Sequence, residues 1–273
     1  MYYTYAKSVI GYNHINNKMP CQDFSSVYSD KEKTIITCCD GHGGSSYIRS
    51  DFGSKVASYS AFITLNSLNQ SFFSRLDNED IESKIKLNIL CEYNRMIEQH
   101  LSKKPIRKSE VINLDEEEQD ALRLNPVKAY GTTLTGAMVI GKKLVVVGIG
   151  DTEALVVSKG EMMKVFDDSD EPVANVTYSM CQEDAYKYIK VKVLDFKNID
   201  AVILCTDGLT SPYQTYVNFN NSFIKPMMNS LYRNGNFHDV DTLIDEIASK
   251  LGVGDDVSLA VICKDDLVKK YYK

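Results

Sequence analysis

The chain has 273 residues, 44% of them hydrophobic and 25% charged, with a formal net charge of −6. That balance describes an ordinary globular protein with a sizeable core, and the acidic sum argues against a general nucleic-acid binder, which needs a basic face. No apolar stretch reaches the ~18 residues that span a bilayer, and the opening Met1-Tyr2-Tyr3-Thr4-Tyr5-Ala6-Lys7 lacks the charged-then-apolar build of a secretory signal.

Residues 2–11, 23–28 and 34–39 read as strands, with a turn at 29–33. From 44 to 68, Ile48, Phe52, Val56, Ala57, Ala61 and Phe62 recur at helical spacing, and 80–100 repeats the pattern with Ile81, Ile85, Ile89, Met96 and Ile97. Residues 103–125 are polar, and the run Glu116-Glu117-Glu118 reads as a solvated loop or short helix. Strands return at 134–140 and 144–149 around a turn at 141–143, then at 154–158 before a turn at Lys159-Gly160. Residues 166–185 are irregular and long enough for a flap. Strands at 186–194 and 201–206, helices at 222–232 and 239–251, a strand at 257–263 and a lysine-rich tail at 269–273 complete the chain. Hairpin turns between strands, with helices in blocks, predict antiparallel sheets carrying helices outside them. Seven cysteines without a Cys-x-x-Cys pair suit neither a disulfide framework nor a zinc site. Cys38, Cys39, Cys205 and Cys263 lie in apolar runs, where free thiols are buried, so the reducing cytoplasm is the expected compartment.

Several apolar runs meet an aspartate at one end. The run 34–39 enters Asp40-Gly41-His42-Gly43-Gly44, 144–149 ends at Gly150-Asp151, and 201–206 ends at Asp207-Gly208. Asp255-Asp256 precedes 257–263, and Gln22-Asp23 precedes 24–28. Each Asp-Gly alone is ordinary turn chemistry. Together, carboxylates delivered from distant segments are how a fold gathers oxygen ligands around hard divalent cations. Asp40 and the Gly41 carbonyl can face one ion. Asp207 with Asp255 or Asp256 can complete a second shell that Asp40 bridges. Spacing leaves both members of that last pair open. Two such ions about 4 Å apart suit in-line displacement at phosphorus. His42 is read as the general acid for the departing alkoxide, because hard oxygen sites rarely need imidazole.

The order of these pieces, with Gly131-Thr132-Thr133 and Asp255-Asp256-Val257-Ser258, resembles the metal-dependent Ser/Thr protein phosphatases of the PP2C type (PPM family), in a divergent, bacterial-like form. The resemblance spreads over nearly the whole chain and implies a single domain, 1–273, of α+β class: a four-layer α-β-β-α sandwich, two antiparallel sheets flanked by helix pairs. It implies a flap near 166–185 and Mg²⁺ or Mn²⁺ as cofactor, two ions with a third as an added site. By resemblance Asp40 bridges two ions, Gly41 binds one through its carbonyl, and Asp207 and Asp255 hold the other. Asp151 with Asp207 matches the third site, and Gln22-Asp23 stands where the family has Glu-Asp. Gln22 brings no charge and would act through an ordered water or not at all. The family's phosphate-binding arginine is Lys18 here, a point charge without the bidentate fork, so phosphate anchoring would be looser or shared with His14. The implied activity is hydrolysis of phosphoserine and phosphothreonine in proteins, opposing a Ser/Thr kinase, with no nucleic-acid or membrane partner. The alternatives are a catalytically inactive binding or regulatory module, for which Lys18 and Gln22 are the hints, and a two-metal hydrolase of another phosphoester.

Overall fold

The computed structural model describes residues 2–166 and 177–265. Within them, runs rich in β-branched and aromatic residues form ten strands. One sheet has the order β1 (Tyr2–Val9), β10 (Val257–Lys264), β9 (Ala201–Cys205), β6 (Glu153–Ser158), β7 (Glu161–Lys164). The other has β2 (Phe24–Ser29), β3 (Lys33–Cys39), β4 (Leu134–Ile140), β5 (Lys143–Ile149), β8 (Lys190–Asp195). Every pairing is antiparallel.

Side-chain alternation along the strands builds the layers. In β3, Ile36 and Cys38 meet Val202, Leu204, Ala260 and Ile262 of the facing sheet, so the two sheets pack on one another. Ile35 and Cys39 point the other way, onto the helices Ser50–Ser67 and Asn78–Lys103. Those helices answer with Val56, Ala57, Ala61 and Leu65, and with Ile81, Ile85, Ile89, Tyr93 and Ile97, rows at helical spacing. In β10, Leu259, Val261 and Cys263 face the helices Lys225–Asn234 and His238–Glu246, packing on Phe223, Met227, Leu231 and Ile244. The result is the expected α+β sandwich of helices, sheet, sheet and helices. No helix among the described residues is long and apolar enough to cross a membrane.

Differences from the sequence reading fall at element ends. The first strand stops at Val9, and the chain winds into a short helix, Tyr12–Asn16, tied down where Asn13 N donates to Gly254 O at 3.0 Å. Residues 44–49 are not helical, with Ser45, Ser46 and Arg49 bonded across to Glu118 and Glu110; the helix begins at Ser50. Residues 185–188 make a helical turn, so β8 starts at Lys190. The turn at Lys159-Gly160 has both residues at positive φ, 53° and 80°, and closes a hairpin with β7, a strand too short to announce itself. Residues 103–125 carry two short helices, Lys108–Val111 and Glu116–Leu124. Half of the expected flap, 167–176, and the tail 269–273 lie outside the described residues.

Candidate metal centre

Antiparallel order brings the aspartates to one end of the sandwich. β3 ends beside the start of β2, with Phe24 opposite Cys39, and β5 ends beside the start of β4, with Leu134 opposite Ile149. In the other sheet the end of β9 meets the start of β10, with Cys205 opposite Leu259. Asp40, Asp151 and Asp207 follow strand ends, while Gln22-Asp23 and Asp255-Asp256 precede strand starts, so all reach the same rim. The sheets are pinned together there. Thr206 Oγ1 donates to Asp23 Oδ2 at 2.8 Å, and Gln22 N donates to Asp256 Oδ2 at 2.6 Å.

The backbone of Asp40 is gripped from β4. Thr133 N and Thr132 Oγ1 both donate to Asp40 O at 2.8 Å, and Asp40 N donates to Thr133 Oγ1 at 2.9 Å. Thr133 Oγ1 in turn bonds to Thr152 Oγ1, beside Asp151. These threonines explain the Gly131-Thr132-Thr133 and Gly150-Asp151-Thr152 motifs: they fix the backbone that presents Asp40. Gly41 is required by close approach, since a Cβ there would lie 2.5 Å from Gln22 O.

The adjacent Asp255 and Asp256 have opposite surroundings. The Asp256 side chain is 1% exposed and accepts from Gly11 N at 2.8 Å and Gln22 N at 2.6 Å, with His14 Nδ1 2.9 Å away as an ion-pair neighbour. Its ring is not aligned for a hydrogen bond. The Asp255 side chain is 52% exposed, and its Oδ1 accepts from Asp256 N at 2.8 Å. Asp256 is thus a clamp on the N-terminal loop, and Asp255 is the carboxylate left open to the rim. Gln22 Nε2 donates to Ser50 Oγ at 2.6 Å, while its Oε1 is a buried oxygen without a partner. Lys18 is exposed, at positive φ (55°), and its side chain makes no hydrogen bond or ion pair with the acidic rim among the described residues.

The electrostatics are those of crowded carboxylates. Burial pushes the Asp40 carboxyl well above the usual range, and Asp23, Asp207, Asp151 and Asp255 push it further the same way. Asp23 is raised by burial and then by Asp256. Asp207 opens to solvent on one side, yet packed protein behind it, then Asp151 and Asp255, raise it too, and it is hydrogen-bonded to Asp40. Carboxylates crowded together repel one another, and a cation among them relieves that repulsion. Among the described residues no three His, Cys, Asp or Glu side chains form a ready-made metal cage. Hard oxygens offered in ones and twos, with a glycine carbonyl and a neutral amide oxygen, nevertheless suit Mg²⁺ or Mn²⁺, which keep several waters. His42 leans on Tyr47 with ring centroids 4.9 Å apart, and its Nε2 is buried with no partner. Burial lowers its pKa, and Asp151 opposes that.

The sequence reading misses the support behind the loop 41–49. Buried Arg49 donates to Glu110 at 2.9 and 3.0 Å, to Lys104 O at 2.7 Å and to Tyr130 Oη at 2.6 Å. Ser45 and Ser46 both donate to Glu118 Oε1, the latter at 3.2 Å, so the acidic run is in part a strut for this loop. Nothing in spacing marks these partners, because each pair is more than fifty residues apart in sequence.

Residues 10–245 match the family described as Protein phosphatase 2C. Among solved structures, the chain is similar to the catalytic domain of the serine threonine protein phosphatase PstP in complex with two manganese ions (17% identity, TM-score 0.59, 96% of this chain and 97% of that one). It is also similar to the S. agalactiae serine/threonine phosphatase (16%, 0.60, 97% and 100%) and to Stp1 from Staphylococcus aureus (14%, 0.57, 97% and 96%). A search of the curated proteins found no match. The chain belongs to the protein phosphatase 2C family.

Proposed function

We propose that this member of the protein phosphatase 2C family is an Mg²⁺- or Mn²⁺-dependent phosphatase of phosphoserine and phosphothreonine in proteins, opposing a Ser/Thr kinase in the cytoplasm, with 1–273 as one catalytic domain. The supporting observation is the gathering of Asp40, Asp207, Asp255 and Asp151 at one rim, where the latter three all act on the Asp40 carboxyl. Asp40 and the Gly41 carbonyl would hold one ion, Asp40, Asp207 and Asp255 the second, and Asp151 with Asp207 a third. Gln22 Oε1 would receive a coordinated water, and Asp23 would act from behind as a buried charge. Bound ions would polarise the phosphoryl oxygens and acidify water. In the reaction, water adds to phosphorus, the ester P–O bond breaks, and the serine or threonine oxygen leaves needing a proton. His42 would hold that proton on Nε2, and the lack of any other partner for this buried nitrogen supports the reading. Lys18 and His14 would bind the phosphate, His14 from its place 2.9 Å from Asp256 and Lys18 by turning in from its exposed position. The buried free thiols of Cys38, Cys39, Cys181, Cys205 and Cys263 support a reducing compartment.

The test is release of phosphate from a phosphothreonine peptide with millimolar Mn²⁺, Mg²⁺ or chelator. Hydrolysis that survives exhaustive chelation would sink the two-ion reading. Uncharged Gln22 and outward Lys18 favour a second reading, a catalytically silent binding module. It would be recognised by metal-induced thermal stabilisation without any phosphate release.

A further inference from the structure

Outside the acidic rim, the helices Lys108–Val111 and Glu116–Leu124 enclose a groove of about 860 Å³. Its floor is apolar, with Ile106 and Leu122, and Ile112 beside it is 74% exposed. Its rim is cationic, with Arg107, Lys108 and Arg123, and no carboxylate lines it. Arg123 is paired with Asp120 at 2.6 Å and Arg107 acts on the neighbouring Glu110 carboxylate, whereas the exposed Lys108 side chain forms no ion pair among the described residues. The charged side chains that line the groove are thus all cationic, over an apolar floor, on a chain of net charge −6.

We propose that this groove docks an acidic segment bearing apolar side chains, on the phosphoprotein whose phosphorylated residue enters the acidic rim. Only the identification of the partner as a phosphoprotein rests on the proposed activity. Three observations carry the assignment. The size suits a few side chains of a peptide. The rim selects negative charge and the floor selects leucine-like side chains, a pairing that a nucleic acid would leave half unused. The chain's own tail, 269–273, is lysine-rich and has the wrong sign. The same helices also brace the loop that carries His42, through Glu110 to Arg49 and through Glu118 to Ser45 and Ser46. A partner held here is therefore tethered beside the reactive rim, which raises its effective concentration there.

The experiment is fluorescence anisotropy of a labelled, unphosphorylated peptide of glutamates around two leucines, titrated with the full chain in chelator. Activity plays no part in this readout, so failure of docking and failure of the phosphatase reading are separable. The wild type should bind, with affinity falling as salt rises. The variant carrying R107E and K108E, on two exposed side chains, should bind about tenfold more weakly or less. Ile112→Asp, also at an exposed position, should weaken binding as well, and circular dichroism melts would verify that each variant folds. No binding by the wild type, equal binding by the charge-reversed variant, or equal affinity for an oligouridylate of matching charge would each overturn the proposal.

Discussion

Asp255 and Asp256 differ by one position and by almost everything physical. Asp256 is spent on two backbone N–H groups and His14, while Asp255 keeps its carboxylate open. Asp255→Asn should therefore cost on the order of 10³-fold in Mn²⁺-dependent turnover while leaving the melting temperature nearly unchanged. Asp256→Asn should do the reverse. An amide turns one acceptor into a donor that faces Gly11 N or Gln22 N, which costs about 1–3 kcal/mol of stability. Initial rates and thermal melts on both variants decide it, and a larger rate loss in Asp256→Asn would exchange the two roles. His42 calls for a different discrimination. If its Nε2 hands a proton to the leaving oxygen, His42→Gln should slow phosphothreonine peptide strongly and p-nitrophenyl phosphate much less, since nitrophenolate leaves unprotonated. Equal losses on the two substrates would make the histidine structural.

Between elements, the ends of β3 and β4 act as one unit, because the Asp40 backbone hangs on Thr132 and Thr133. Thr133→Val keeps the shape of the side chain and removes the acceptor for Asp40 N. Turnover should fall by roughly 10- to 100-fold from misplacement of the carboxylate, with the sheet intact by circular dichroism. The helical pair at 108–124 supplies a pH handle. The Arg49 hydrogen bonds hold the Glu110 carboxyl below its ordinary value. A carboxylate depressed on folding stabilises above its unfolded pKa, and that contribution is lost as pH falls through the lower, folded value. Glu110→Gln should thus lower the melting temperature at pH ~6–7, and the difference from wild type should close below pH ~4. A gap that stays constant down to pH ~3 would contradict the assignment. Element legibility followed length and periodicity. The long helices declared themselves through i, i+4 rows and the paired β4 and β5 as apolar runs around a turn, whereas Tyr12–Asn16 and β7 are too short to carry a period. Glu110 and Glu118 looked like surface charge because their partners, Arg49, Ser45 and Ser46, lie on a loop that only the fold brings near.

For the molecule as a whole, the acidic rim is a concentrated repulsion that the sandwich core holds in place. The aspartates were legible one by one as Asp-Gly turns and strand-end acids. Their meeting depends on which strands run parallel to one another two places apart, and spacing does not encode that. It is also why Asp256, in the same motif as Asp255, could be separated from it only by its hydrogen bonds. Without a cation, the folded rim holds Asp40, Asp207 and Asp23 with their carboxyls raised by burial and by neighbouring carboxylates. A divalent ion that binds the folded rim and not the unfolded chain must then raise stability by mass action, about 2.7 kcal/mol when its free concentration is a hundred times Kd. The melting temperature should climb with added Mn²⁺, return on chelation, and respond far less in Asp40→Asn and Asp207→Asn, which remove the paired charge. Asp256→Asn should retain the full Mn²⁺ response from a lower starting temperature, since its carboxylate is engaged by backbone and not by the rim. Because this readout needs no turnover, it separates a metal-loaded but silent protein from a working phosphatase. A melting curve indifferent to Mn²⁺ and Mg²⁺ would remove the metal centre itself.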